Sequence, residues 1–222
     1  MAARFLDSTI GKKALMAVTG VILVGFVVGH MAGNLQLFLP AHDGVHPLDE
    51  YGAWLRTVLH GSGLWIARAV LLASVGAHIW AAVTLSQRNK QARPVGYRAL
   101  KHQASTFASR TMLLSGLIVV VFIVVHLLHL TIGVLLPGFV EGKVFHNVVT
   151  GFQVPWVSAF YILAMLALAP HLRHGVWSLF QTLGLSHPRY DRLRPALALG
   201  VTVVVVGANI SFPVAVLAGL VR

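Results

Sequence analysis

The chain contains no cysteine, and only 6 of its 222 residues are Asp or Glu. The lack of cysteine excludes disulfides, iron–sulfur clusters held by thiolates and a haem attached covalently in the c-type manner. Charged residues make up 10% of the chain, whereas hydrophobic residues make up 57% and the mean hydropathy is +0.79. This composition is typical of an integral membrane protein.

Five long apolar runs account for the composition. Each is long enough to cross the hydrocarbon core, which takes about 20 apolar residues in a helix. Because the runs are continuously apolar rather than alternating, they predict helices and not barrel strands. No cleavage site follows the first run, so we expect it to be kept as a span. We see no internal repeat. The prediction is one all-α transmembrane domain over residues 1–222, a bundle of five helices at about 14–39, 64–85, 112–136, 154–180 and 195–221.

The formal net charge of +11 is carried by short connections rather than by one solvated face, so it does not indicate nucleic-acid binding. Lys and Arg accumulate in cytoplasmic segments of membrane proteins. Here they lie mainly at the N-terminus and in the second and fourth connections, whereas the first and third hold most of the acidic residues. We therefore predict a multi-pass protein of the inner (cytoplasmic) membrane, with a cytoplasmic N-terminus and an outer C-terminus. The second connection is the most basic, with Arg88, Lys90, Arg93, Arg98, Lys101 and Arg110.

Four histidines lie inside the predicted spans at two matched depths. His30 and His126 follow the basic residues Lys13 and Arg110 by 17 and 16 residues, which is roughly 25 Å at a helical rise of about 1.5 Å per residue. The second and fourth predicted helices run from the outer side inward. His78 lies 15 residues past Gly63 in the second helix, and His171 lies 16 residues past Pro155 in the fourth. The first pair therefore shares an outer level, and the second pair shares an inner level.

Two matched pairs of imidazoles predict two b-type haems, because a haem iron used in electron transfer takes axial ligands from opposite sides. A lone intramembrane histidine would more often serve as an interhelical hydrogen-bonding group. His129 and His174 compete with His126 and His171, since each lies three residues further along the same helix. We expect the histidines of the outer connections, His46 among them, to be solvated. Small residues beside the ligands are expected to open slots for the haems: Gly25, Gly29, Gly33, Gly76, Gly116 and Gly175. The four-residue spacing of Gly25, Gly29 and Gly33 is also typical of ordinary close helix packing, and we expect at least one of them to serve that use.

Four segments resemble the five-helix, two-haem cytochrome b anchor of succinate:quinone oxidoreductases, the succinate dehydrogenases and fumarate reductases. They are "GHMAGN", "GAHIWAAVTL", "SGLIVVVFIVVH" and "HLRHGVWSLFQTLG". The last is the most specific, because His171, Gly175, Trp177 and Gly184 fit the family pattern and favour His171 over His174. The resemblance implies that His30 and His126 hold the distal haem and that His78 and His171 hold the proximal one.

The resemblance also implies the chemistry and the partners. A cytoplasmic flavoprotein subunit interconverts succinate and fumarate, an iron–sulfur subunit carries electrons, and the anchor exchanges them with a membrane quinone, menaquinone or ubiquinone. This chain has neither a dinucleotide fingerprint nor cluster ligands, so it needs both partners, and the complex can be a higher oligomer. In some relatives an acidic residue after the first helix accepts a proton from the quinol, and Glu50 or Asp49 lies in that region; we expect Glu50 to fill this role.

Three other functions fit some of these features. A dihaem anchor of a different quinone-linked dehydrogenase would share the ligands and differ in its partner. A proton-coupled transporter also uses intramembrane histidines, but none of the five apolar runs contains Asp or Glu. A purely structural anchor without haem is the third alternative.

Overall fold

The computed structural model describes residues 2–92, 107–185 and 187–222. It is all-helical, and five of its helices are long and apolar enough to cross a membrane, which confirms the predicted fold class. The orientation of the bundle stays a prediction. The most basic stretch of the second connection, with Arg93, Arg98 and Lys101, lies outside the described residues.

Eight α-helices are described, of which α2, α4, α5, α7 and α8 are the candidate spans. The spans differ from the sequence estimates mainly at their ends. A 3₁₀ turn, Leu35–Phe38, extends α2, and a π turn, Leu127–Thr131, extends α5. The helices are α1 (Ala2–Asp7), α2 (Thr9–Asn34), α3 (Pro47–Thr57), α4 (Ser62–Gln91), α5 (Phe107–His126), α6 (Val144–Phe152), α7 (Pro155–Thr182) and α8 (Leu193–Leu217).

Helix α2 begins at Thr9, before the apolar run that was predicted to start at about residue 14. Polar contacts stabilise this additional turn. The Ser8 side chain accepts a hydrogen bond of 2.9 Å from the Gly11 backbone N–H and so caps α2. Lys12 is only 2% exposed. Its ammonium group donates to the Leu6 carbonyl at 2.8 Å and lies 4.5 Å from the centre of the Trp80 ring. This cation–π contact links α2 to α4.

Helix α7 lies at the centre of the bundle. It packs against α8, α5 and α2, while α4 packs mainly against α2. Residues from α2, α7 and α8 form one buried apolar cluster around Ala198, which has no exposed surface. The other faces of the spans carry exposed Leu, Val and Ile, as expected where helices meet lipid. This arrangement brings α2, α4, α5 and α7, which carry the four predicted ligands, around one interior.

Two short helices, α3 and α6, cover one end of the bundle. The Asp49 carboxylate accepts a hydrogen bond of 2.8 Å from the Phe145 backbone N–H, which ties α3 to the first turn of α6. The His46 ring stacks on Phe145 with centroids 3.7 Å apart and is 9% exposed, so the expectation that His46 is solvated is wrong. Burial lowers the pKa of His46, against opposing contributions from the Asp49 charge and the Leu39 backbone.

Candidate functional site

The outer pair of histidines meets across the interior between α2 and α5. The ring centres of His30 and His126 lie 5.9 Å apart, and the ring planes are inclined at 81°. Phe26 stacks on His30 at 5.3 Å, and Phe122 stacks on His126 at 5.6 Å. In both cases the aromatic residue precedes the histidine by one helical turn, so helix geometry alone sets the stack.

The inner pair meets in the same way between α4 and α7. The ring centres of His78 and His171 lie 6.5 Å apart, with planes inclined at 56°. The Nδ1 atom of His78 lies 3.0 Å from the Thr19 hydroxyl, and that of His171 lies 3.4 Å from the Ser115 hydroxyl. Each imidazole therefore has a polar neighbour at Nδ1, which leaves Nε2 for a ligand.

The separation of the rings fits a metal held between them. Since a bond from a metal to an imidazole nitrogen is about 2 Å, two imidazoles on opposite sides of one ion have ring centres about 6 Å apart. No cluster of three or more His, Cys, Asp or Glu side chains that could hold a metal occurs within the described ranges. Each pair brings two imidazoles together, and a haem, which supplies four nitrogens of its own, is a group that two imidazoles could hold.

His129 lies one turn beyond His126 and has different neighbours. It is 3% exposed, and its Nδ1 lies 2.9 Å from the Tyr161 hydroxyl, while the Nδ1 of His126 lies 3.3 Å from the same oxygen. Its Nε2 is buried without a hydrogen-bond partner, and a Cβ added to Gly151 would lie only 2.8 Å from it. His126, and not this packed ring, makes the contact with His30.

His174, the other competitor, lies beside Trp177, with ring centroids 5.9 Å apart. The ring contact with His78 is made by His171. The four histidines selected by depth are therefore the four that the fold brings together in pairs.

The predicted slot glycines divide into two groups. A Cβ added at Gly25, Gly29, Gly76 or Gly175 would meet no atom within 4 Å, so these positions border open space. Gly33 behaves differently, because a Cβ there would lie 2.6 Å from the Tyr51 ring. Gly33 thus leaves room for the Tyr51 side chain of α3 and not for a haem. The remaining prediction, Gly116, lies against the His171 ring, and Gly20, which the sequence reasoning missed, lies against His78.

The two acidic candidates of the first connection have different surroundings. Asp49 is half-buried and its carboxylate is engaged by the α6 backbone. Glu50 is exposed. Of these two carboxylates, Glu50 is therefore the one that lies open to solvent.

Comparison with known proteins gives one finding. The sequence profile described as "Succinate dehydrogenase/Fumarate reductase transmembrane subunit" matches residues 87–208, which is more than half of the chain. Neither the curated proteins nor the solved structures gave a significant match. The matched region includes His126 and His171, whereas His30 and His78 lie before it.

Proposed function

Because the chain belongs to the succinate dehydrogenase/fumarate reductase transmembrane subunit family, we propose that this membrane anchor carries two b haems. Through them it passes electrons between an iron–sulfur partner and a membrane quinone. Membership in this family implies a flavoprotein partner and an iron–sulfur partner. The chain itself has no cysteine that could hold a cluster. Membership also argues against a transporter and against an anchor for a different dehydrogenase.

The observation that carries the proposal is the pairing of four histidines from four spans. His30 with His126 would hold one haem, and His78 with His171 would hold the other. The ring separations of 5.9 Å and 6.5 Å both lie near the value of about 6 Å expected for two imidazoles on one metal. Bound haem would supply reversible one-electron transfer.

The protein's own residues would orient and insulate the ligands. The Thr19 and Ser115 hydroxyls lie beside the inner imidazoles, and the Tyr161 hydroxyl lies beside His126. Hydrogen bonds of this kind fix the tautomer and the orientation of a metal-bound imidazole. Apolar side chains of the spans would keep water away from haem bound there and so hold its environment at low dielectric constant.

We assign Glu50 as the proton acceptor for quinol oxidation beside the outer pair. Support comes from its exposed carboxylate at the covered end of the bundle, where Asp49 is already engaged as a cap. A general base needs a free carboxylate within reach of the quinol hydroxyl. We expect Glu50→Gln to slow quinol-linked electron transfer while both haems are retained. Glu141→Gln is the matched control, since Glu141 is also exposed in an outer connection. Equal rates in the two variants would contradict the assignment.

The ligand set is tested by reduced-minus-oxidised spectra and a pyridine haemochrome count on the purified protein. We expect two b haems per chain in the wild type. His30→Ala and His126→Ala should each remove or disturb one haem, and His78→Ala and His171→Ala the other.

His129→Ala and His174→Ala are the controls, because each removes a neighbouring imidazole without removing an expected ligand. They should leave both haem spectra in place. A wild-type protein without haem would overturn the proposal. If His129→Ala loses a haem that His126→Ala keeps, the ligand is His129. The same comparison of His174→Ala with His171→Ala decides the ligand on α7.

A further inference from the structure

Two spans share a sequence spacing that links the inner and outer levels. Helix α2 carries Thr19-Gly20 and then His30, and α5 carries Ser115-Gly116 and then His126. In both helices the histidine follows the hydroxyl residue by 11 positions. Eleven residues make about three helical turns and a rise of about 16 Å, so each hydroxyl–glycine pair lies below its histidine on the same helix face.

The hydroxyl of Thr19 is oriented by its own helix. Its Oγ1 lies 2.8 Å from the Leu15 carbonyl oxygen and 3.2 Å from that of Met16, so its single proton has acceptors on the backbone of its own helix. With the proton directed there, the oxygen lone pairs are available to accept from an Nδ1–H of His78, whose Nδ1 lies 3.0 Å away. This arrangement selects the tautomer that has its proton on Nδ1 and its lone pair on Nε2.

Ser115 repeats the arrangement on the opposite side. Its Oγ donates to the Met112 carbonyl at 3.1 Å and lies 3.4 Å from the Nδ1 of His171. Since this second distance is longer than that of an ordinary N–H···O bond, we expect the Ser115 contact to be the weaker of the two.

The glycine that follows each hydroxyl faces the same ring atom of the histidine. A Cβ added to Gly20 would lie 3.8 Å from the Cε1 of His78, and one added to Gly116 would lie 3.3 Å from the Cε1 of His171. Each imidazole therefore lies beside the hydroxyl and beside a position of the helix that carries no side chain. The first position has room for a methyl group, and the second is tighter than ordinary van der Waals contact.

We propose that Thr19-Gly20 and Ser115-Gly116 are matched seats for the inner histidines, positioning residues that orient the Nε2 lone pairs of His78 and His171 toward a haem iron. This inference rests on the proposed function, because it assumes that the inner pair holds haem. Each hydroxyl increases the electron density of its imidazole and so stabilises the ferric state, which keeps the potential of the inner haem low.

The test replaces the hydroxyl without changing the shape of the side chain. In Thr19→Val we expect both haems to remain while the midpoint potential of the inner haem rises. A tenfold change in the reduction equilibrium, which is about 59 mV for one electron, is the expected order. The electron paramagnetic resonance signal of the inner haem should change with it, and Thr19→Ser should restore both values. His78→Ala identifies which signal belongs to the inner haem.

Thr202→Val is the matched control. Thr202 is as buried as Thr19, at 5% exposed, and its hydroxyl donates to the Ala198 carbonyl at 2.7 Å. It lies on α8, and its hydroxyl bonds to the backbone of that same helix. An unchanged inner signal in Thr19→Val, or an equal shift in Thr202→Val, would overturn the inference.

The glycines give a graded second test. Gly116→Ala should disturb the inner haem spectrum, whereas Gly20→Ala should leave it nearly unchanged, because only the former puts a methyl group inside 3.4 Å of the ring. The reverse order would overturn the inference. If Thr19→Val does not fold, Ser115→Ala serves in its place, with a smaller shift in the same direction. A wild type without haem overturns the proposed function, whereas two haems that are insensitive to these variants overturn the seats alone.

Discussion

The contact between Gly151 and His129 gives a prediction whose size follows from the structure. A methyl group at residue 151 would lie 2.6 Å from the Cε1 and 2.8 Å from the Nε2 of His129, and 3.6 Å from Leu136. The ring cannot easily move aside, because it is 3% exposed and its Nδ1 is bonded to Tyr161 at 2.9 Å. Gly151→Ala should therefore overpack the interface between α6 and the π turn after α5.

Two opposing contributions set the magnitude. Overpacking a well-packed interior costs about 1–3 kcal/mol. Replacing Gly by Ala inside a helix contributes about 1 kcal/mol in the opposite direction. We expect a net loss of about 0–2 kcal/mol in the free energy of unfolding, measured by denaturant titration of the detergent-solubilised protein with circular dichroism. Gly207→Ala on α8 is the control, because a Cβ there meets nothing within 4 Å and should be neutral or stabilising.

A double-mutant cycle separates the clash from other effects of the methyl group. In a His129→Ala background the ring is gone, so Gly151→Ala should become neutral or favourable. The coupling between the two substitutions should then be about 2 kcal/mol, within the range found for residues in contact. If Gly151→Ala costs the same free energy with and without the imidazole, the packing argument is refuted.

Three further predictions concern the same end of the bundle. Tyr161→Phe leaves the buried Nδ1 of His129 without a partner, which should cost about 1–3 kcal/mol of unfolding free energy, and it should shift the outer haem spectrum more than the inner one. Asp49→Ala removes the acceptor for the Phe145 N–H and should speed hydrogen exchange at the start of α6; it should cost about 1 kcal/mol, and unchanged exchange would argue against the cap. Burial lowers the pKa of His46 from its usual 6.5, so the unfolded chain binds a proton at a higher pH than the folded chain does. Helices α3 and α6 should therefore be fully stable above about pH 6.5 and become less stable as the pH falls below it. Hydrogen exchange in these helices should show this pH dependence in the wild type and lose it in His46→Phe.

The depth of the histidines could be predicted because a helix rises by a fixed amount per residue. The basic residues that precede α2 and α5 give a common starting level, and counting from them predicts which imidazoles share a depth. The structure brings those imidazoles together as His30 with His126 and His78 with His171. Depth favoured His126 over its neighbour at 129, because His126 matches the level of His30 more closely. The packing of Gly151 and the Tyr161 hydroxyl now also distinguish the surroundings of the two rings.

Contacts between distant elements could not be read from the sequence. The burial of His46 depends on α6 folding back over α3, and nothing in the local sequence of either segment indicates this pairing. The four-residue spacing of Gly25, Gly29 and Gly33 indicated close packing for at least one of them, but it did not indicate which. The structure assigns that use to Gly33, whose neighbour is Tyr51 from another helix. Spacing predicts which residues share a face, but the partner that covers the face depends on the connections.

The seats of the inner histidines were present in the sequence as the spacing shared by α2 and α5, although neither helix resembles the other elsewhere. Each of these helices serves both levels, since it presents its own histidine to the outer pair and a hydroxyl and a glycine to the inner pair. A change of register in either helix would therefore move an outer ligand and an inner seat together. On the proposed function, hydrogen bonds to individual imidazoles would therefore tune the two haems separately. The hydroxyl neighbours differ between the levels: Thr19 and Ser115 lie beside the inner pair, and the phenol of Tyr161 lies beside His126.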